Sequence, residues 1–348
     1  MTPPQEALAA PASKALPARN LADRLILAPD EIFDRAGIEA ALRADLPSGA
    51  DPKAVRETVV SVLKEALAQG RAALEDAFAT SPADARGMVA GYAYLTDCVV
   101  STVFRAVIDH LHPKPNPTEG ERIALLAVGG YGRAEMAPFS DVDLLFLTPY
   151  KITAWAESVI ESMLYILWDL HLKVGHASRT VKDCLRLGRE DYTIRTALLE
   201  HRFIDGHAPL AAELSHRLWK DLFQGTGAAF VEAKLDERAK RHRKQGGQRY
   251  VVEPNVKEGK GGLRDLQALF WIAKYVNNVD DPAELVELGT FRKEEYDDFL
   301  KAENFLMAVR CHMHLISGRA MDQLTLDLQV QVAERMGNAE QGGRRAVA

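Results

Sequence analysis

The stretch that most limits how this chain can fold is residues 125–147, LLAVGGYGRAEMAPFSDVDLLFL, in which two short apolar runs bracket a glycine-rich polar segment. Residues 123–128 are almost wholly apolar and stop at Gly129-Gly130; residues 142–147 are apolar except for Asp143. Apolar runs this short, ended by turn-forming residues, predict two buried strands. Residues 174–180 read as a third strand, after a segment (155–172) whose apolar positions recur at helical spacing. An α/β core follows.

The flanks have a different pattern. Residues 52–111 carry apolar positions at helical spacing, among them Val59, Val60, Val62, Leu63, Leu67, Tyr92, Leu95, Val99 and Val103, and a proline-rich segment at 112–120 ends the run. From Leu210 onward the pattern is again helical, broken only around residues 249–262. The first 50 residues begin Ala- and Pro-rich, and to about Asp30 show no periodic apolar face. The expected organisation is therefore a loosely ordered tail over 1–50, a helical lead-in over 51–111, a core over 112–209 and a helical domain over 210–348.

Composition excludes several classes. At 348 residues, with 47% hydrophobic and 26% charged residues, the chain has the balance of a globular protein and length for roughly two domains. A net charge of −6 lacks the positive field of a sequence-independent nucleic-acid binder. Cys98, Cys184 and Cys311 are far apart and form no CxxC pair, which argues against a disulfide framework or zinc finger. The N-terminus has no secretory apolar core, and no unbroken apolar run reaches the ~18–20 residues of a membrane helix. The reading is a cytoplasmic protein without nucleic-acid or membrane partners.

The chemistry concentrates at the second strand. Residues two apart in a strand share a face, so Asp141 and Asp143 project together, about 7 Å apart along the chain, while Val142, Leu144 and Phe146 pack on the other side. Two carboxylates so placed can share divalent cations, and Mg²⁺, or Mn²⁺ in its place, accepts such oxygens together with substrate phosphates. Gly129 and Gly130 let backbone amides approach a triphosphate, and Arg133 and Ser140 add polar contacts to a nucleotide cradle. A pair of aspartates can equally be a solvated turn, and Asp143 can be held by an ion pair with Arg133. An unpaired carboxylate among apolar neighbours is costly, which favours a metal.

Gly129-Gly130, ten intervening residues and Asp141-Val142-Asp143 together resemble the DNA polymerase β nucleotidyltransferase superfamily. Two further phrases, LWDLHLKVGHASRT at 167–180 and YVVEPNVKEGKGGLRDLQ at 250–267, narrow the resemblance to the bacterial PII-protein uridylyltransferase/uridylyl-removing family, over about residues 59–337. The implied fold class is α+β, a polymerase-β-like nucleotidyltransferase core (small mixed sheet with helices) plus a helical domain. The implied activity is metal-dependent transfer of UMP from UTP to a tyrosine hydroxyl of the PII signalling protein, releasing pyrophosphate. Asp141 and Asp143 are then the catalytic metal ligands.

Two departures qualify that expectation. The superfamily usually supplies a third carboxylate from the next strand, yet residues 173–180 contain none; Asp183, Glu200 and Asp205 are nearby candidates. Full-length relatives also carry an HD-type phosphohydrolase domain and glutamine-sensing ACT domains, whereas this chain ends at Ala348 without a His-Asp dipeptide. The expectation is transferase chemistry alone, with glutamine an effector only of the full-length relatives. The alternatives are an adenylyltransferase or small-molecule nucleotidyltransferase, and a nucleotide-binding regulatory module without turnover.

Other polar clusters carry weaker signals. The EPNVKEGKGGLRD stretch places Asn255, Lys257, Lys260 and Arg264 in a polar loop opening a helix near Leu263, so Asn255 and Lys257 are candidate nucleotide contacts, against a structural interdomain loop. The run containing Arg238, Lys240, Arg241, Arg243 and Lys244 is read mainly as a solvated helical face, ended by Gly246 and Gly247. His312 and His314, two apart on a helix, face different ways and make a poor metal pair. His176 lies on the third strand near the aspartates.

Overall fold

The computed structural model describes residues 21–46, 51–114, 116–246, 251–279 and 283–337. Its sheet forms where the short apolar runs lie. β1 (Ala124–Ala127), β2 (Val142–Thr148), β3 (Val174–Thr180) and β4 (Arg202–Gly206) stand in the order β3-β2-β1-β4. β1 runs antiparallel to β2, with Ala127 opposite Leu144, and antiparallel to β4; β3 is parallel to β2, with Gly175 opposite Asp143.

Alternation divides the strand side chains between two cores. Leu125, Ala127, Val142, Leu144 and Phe146 enter one apolar cluster; Ala124, Leu126, Leu145 and Leu147 enter another. The first is covered by α1 (Pro29–Ile32), α2 (Arg35–Asp45), α3 (Pro52–Thr80), α4 (Ala85–Ala106) and, beyond the one-turn α5 (Gly129–Gly132), α6 (Ala154–Asp169). α3 starts at the Asp51 cap with Pro52 in its first turn, and buries Val55, Val59, Leu63, Leu67, Leu74 and Phe78 along one stripe. α4 is buried nearly all round. With the turn that follows it, Ala85–Leu111 is long and apolar enough to cross a membrane by composition, at a mean hydropathy of 1.2, but 83% of that window is buried inside the protein. It is the core helix of the first cluster.

The second cluster is covered by α7 (Val181–Glu190), α8 (Tyr192–Leu199), α9 (Ala208–Leu218), α10 (Gly227–Lys244) and α11 (Leu263–Asn277). Leu210, Leu214, Leu218, Phe230, Trp271 and Tyr275 therefore share one core with Leu126 and Leu145 of the sheet. After the short α12 (Glu284–Glu287), α13 (Lys293–Ser317) sends Met307, Ala308 and Cys311 into the first cluster, beside α4. A smaller cluster of Val256, Val309, Met313, Leu328 and Val332 fastens the 251–262 loop to α13 and α14 (Leu326–Arg335).

Two expectations change. Residues 21–46 of the expected tail are folded: Ile32 and Phe33 are 1% and 2% exposed, and Asp34 caps α2 by accepting from the Gly37 amide. Short one- to three-turn helices separated by breaks leave too few consecutive turns for a 3.6-residue period to register. The rest of that tail, residues 1–20 and 47–50, lies outside the described residues, as does Gly247. β4 was absent from the sequence reading because this short strand keeps Phe203 39% exposed and gives the core only a partly buried Ile204.

Candidate active site

The turn between β1 and β2 builds the site. Gly129 adopts φ +61°, a left-handed conformation that glycine takes without penalty, and lets the chain leave β1 straight into α5. A hydrogen bond from the Val128 amide to the Asp143 carbonyl (3.1 Å) extends the β1–β2 ladder to the point where Asp143 sits. Val142 and Leu144 are 1% exposed and belong to the first cluster, so Asp143 projects from the opposite face, the face of Leu145 and Leu147. Asp141 precedes the strand and is solvent-exposed; Asp143 is half-buried.

Glycine also fills the position beside Asp143 on the neighbouring strand. A Cβ on Gly175 would stand 2.6 Å from Asp143 Oδ1, and one on Gly129 would stand 3.4 Å from Oδ2. The carboxylate thus occupies space that only side-chain-free neighbours leave open. A glycine interrupting an otherwise strand-like run signals such a close approach, and the VGHAS phrase carries it.

The electrostatics of the pair are only partly relieved. Burial and then the Asp141 charge push the Asp143 carboxyl above its usual range, and Lys257 opposes them. Among the described residues, neither carboxylate accepts a hydrogen bond or forms an ion pair. Two neighbouring carboxylates without donors suit a divalent cation, whose charge offsets their repulsion and whose preferred ligands are hard oxygens. No group of three or more His, Cys, Asp or Glu side chains is placed to hold a metal among those residues.

Lys257 reaches this region from a loop distant in sequence. The Asn255 side-chain oxygen accepts from the Lys257 and Glu258 amides (3.1 and 2.7 Å), and the Val256 amide donates to the Asp322 carbonyl (2.9 Å). Asn255 thereby shapes the loop, and Lys257 extends from it. Burial and the nearby Arg310 push the Lys257 ammonium below its usual range, while Asp322 opposes them. Ser140 is half-buried immediately before Asp141, and its amide closes a turn on the Ala137 carbonyl.

Arg133 is directed elsewhere. Its guanidinium donates to Glu135 (2.7 Å) and to Glu200 (2.5 Å), and Glu200 also accepts from the Trp271 indole. The ion pair between Arg133 and Asp143 weighed from the sequence is not formed. Burial pushes the Glu200 carboxyl up, against the pull of Arg133 and Trp271. The other candidate third carboxylates are engaged too: Asp183 caps α7 through Thr180 (2.7 Å), and Asp205 accepts from Ser101 (2.5 Å) and Arg105 (2.8 Å).

The remaining charged motifs are internal fastenings. Arg238, Arg241 and His242 of the basic run all contact Asp265 at the start of α11, and Lys240 pairs with Asp236 within α10. His312 stacks on Phe78 and contacts the Pro82 carbonyl (2.9 Å); His314 is fully buried beside Asp322. His176 lies edge-on to Phe146, across the sheet from the carboxylates. Cys98, Cys184 and Cys311 are buried and free.

Residues 229–348 match the family model described as GlnD PII-uridylyltransferase. The chain is 61% identical, over 97% of its length and 37% of the relative's, to the bifunctional uridylyltransferase/uridylyl-removing enzyme of Cereibacter sphaeroides. It is 61% identical to the enzyme of the same name from Ruegeria pomeroyi, over 91% of this chain and 35% of the relative. With that of Erythrobacter litoralis it shares 52% identity over 91% and 34%. The chain spans little more than a third of the length of these curated relatives. Across its helical and sheet regions alike, the chain is thus similar to about a third of the length of the bifunctional uridylyltransferase/uridylyl-removing enzymes.

Proposed function

We propose that this chain transfers UMP from UTP to a tyrosine hydroxyl of the PII signalling protein, with Mg²⁺ or Mn²⁺ held by Asp141 and Asp143. The observation that carries the reading is the carboxylate pair at the head of β2, without a donor among the described residues and flanked by Gly129 and Gly175. Asp143 is the inner ligand, fixed by its strand; Asp141, exposed, is the outer one. A bound divalent ion supplies Lewis-acid polarisation of the phosphates and lowers the pKa of an oxygen nucleophile.

The chain's own residues position the substrate. Gly129 and Gly130 open α5, where the first amides have no helical carbonyl behind them and can donate to phosphate oxygens. Lys257, held by the Asn255 loop within electrostatic reach of Asp143, is the cation that meets the triphosphate. Ser140 lies beside Asp141 on the approach to the pair. The tyrosine oxygen bonds to the α-phosphorus, the bond from that phosphorus to the bridging oxygen breaks, and pyrophosphate leaves. A phenol of pKa about 10 must lose its proton on the way. Because Asp183, Glu200 and Asp205 are each committed to other partners, we assign the base to none of them.

Incubation with labelled UTP, Mg²⁺ or Mn²⁺ and purified PII protein tests the proposal: label appears on PII, and Asp143→Asn removes it. ATP, CTP and GTP in parallel separate uridylyl transfer from adenylyl transfer. Tight UTP binding with no pyrophosphate release under either metal would instead identify a regulatory module, the reading that the missing third carboxylate favours.

A further inference from the structure

Beside the carboxylate pair lies a second polar cluster, which includes Lys257 and whose other members the proposed transfer does not use. Its centre is Asp322, 25% exposed at the side chain, in the segment between α13 and α14. Asp322 Oδ1 accepts from Arg310 Nε at 2.7 Å, and Oδ2 stands 3.9 Å from Lys257 Nζ. His314, fully buried, points Nε2 at the same carboxylate from 3.6 Å. Its ring also lies 6.5 Å from that of Phe139, which immediately precedes Ser140 and Asp141.

The backbone of this segment is tied to the loop that carries Lys257. Asp322 accepts the Val256 amide, Gln323 and Asn255 form an isolated antiparallel bridge, and the Leu324 amide donates to the Pro254 carbonyl at 2.9 Å. The Gln323 side-chain amide donates to the Glu253 carbonyl. Four consecutive residues of the loop, 253–256, are thus gripped by three of the segment, 322–324. Arg310 fixes the Asp322 side chain from α13, so the carboxylate has little freedom to follow a wandering lysine.

We infer that Asp322 is a positioning residue, which holds the Lys257 ammonium at a set place beside the Asp141–Asp143 pair so that it meets the phosphates of an incoming nucleotide already oriented. This rests on reading that pair as the nucleotide site. A free lysine side chain has three or more rotatable bonds to freeze on binding, and a carboxylate partner held from behind removes part of that cost in advance. An ion pair at 3.9 Å, without a hydrogen bond, is also loose enough to be exchanged for phosphate. Asp322 touches no reacting atom itself. The part of its influence that passes through Lys257 distinguishes it from a residue that merely stiffens the loop.

A double-mutant cycle tests this. UTP affinity in the presence of Mg²⁺, the KM for UTP and kcat are measured for the unsubstituted chain, Asp322→Asn, Lys257→Met and the double variant, with melting temperatures alongside. Asp322→Asn is expected to weaken UTP binding and raise KM about tenfold with a smaller change in kcat. In the Lys257→Met background the same substitution is expected to change nothing further. Equal effects of Asp322→Asn in both backgrounds, or unaltered UTP affinity in a chain that transfers normally, would overturn the inference while leaving the proposed function standing. Failure of the unsubstituted chain to bind UTP at all would remove both. Should Asp322→Asn fold poorly, Asp322→Glu takes its place in the cycle; it keeps the charge and the Arg310 partner but displaces the ammonium, so the same pattern in UTP affinity is expected.

Discussion

Two acidic residues pack against the same glycine turn and have opposite fates. Glu200 is 4% exposed, and its carboxylate is matched by the Arg133 guanidinium and the Trp271 indole; Arg133 is matched in turn by Glu135. Asp143, half-buried, has a second carboxylate for a neighbour and, among the described residues, no donor. The first arrangement is complete within the fold, since every buried charge has a partner. The second is incomplete: half-buried Asp143 stands beside exposed Asp141 with no donor among the described residues, a deficit that the proposed cation would meet. Satisfied charge marks structure, and unsatisfied charge marks a ligand.

The sharpest way to break this contrast is to neutralise each member in turn. Asp143→Asn is expected to reduce UMP transfer to PII by about 10³-fold, roughly 4 kcal/mol of transition-state stabilisation, because an amide is a poor ligand for a hard cation. Initial rates of labelling under saturating Mg²⁺ measure it. The melting temperature of the same variant is expected to hold or rise, as a like-charge pair has been relieved. A loss of both activity and stability would place Asp143 with Glu200, among the structural carboxylates.

Arg133→Met is the converse. It leaves Glu135 and Glu200 buried without their cation, and the expected cost is about 3 kcal/mol of stability, read from the urea midpoint. Nucleotide affinity, measured below the transition, is expected to change little, since the guanidinium faces Glu200 rather than the carboxylate pair. A large fall in UTP affinity at unchanged stability would restore Arg133 as a nucleotide contact.

A smaller effect is expected at Gly175→Ala. The new methyl would sit 2.6 Å from Asp143 Oδ1, too close to be tolerated, so the carboxylate must turn. We expect a loss of transfer of about tenfold, or ~1.4 kcal/mol, and a compensating shift of the Mg²⁺ concentration for half-maximal rate to higher values. Unaltered metal dependence would mean that Asp143 has room to move without consequence.

The sequence made β1, β2, β3 and the carboxylate pair legible because each signal is local. A six-residue apolar run, a Gly-Gly stop and two acids spaced by one residue all lie within 25 residues. What it concealed is long-range. Arg133 looks like a phosphate ligand until Glu200, 67 residues later, takes its guanidinium. Lys257 and Asp322 are 65 residues apart, and nothing in either neighbourhood announces the bridge at Asn255 and Gln323. α1 and α2 were missed for a different reason: packing of Ile32, Phe33 and Ile38 against the first cluster, rather than periodicity, holds them in place.

The smallest expected effect concerns pH, and it separates the two carboxylate types by sign. The Asp143 carboxyl is raised by burial and by Asp141, so the native state holds its proton to higher pH than the unfolded chain does. Between the ordinary aspartate range and that raised value the native state binds more protons, and stability falls as pH rises through the window. Asp322, held well below its ordinary range by His314 and Arg310 despite burial, does the reverse: its contribution is present above the ordinary range and lost as pH falls below it. Asp143→Asn should therefore flatten a decline in stability with rising pH, and Asp322→Asn a decline with falling pH. Each effect is below about 1 kcal/mol after solvent screening of these partly exposed groups. Urea midpoints collected from pH 3 to 7 at fixed ionic strength resolve the two slopes. If Asp143→Asn instead removed a decline toward acid, the carboxylate would have a donor in solution, and the deficit that sets it apart from Glu200 would be gone.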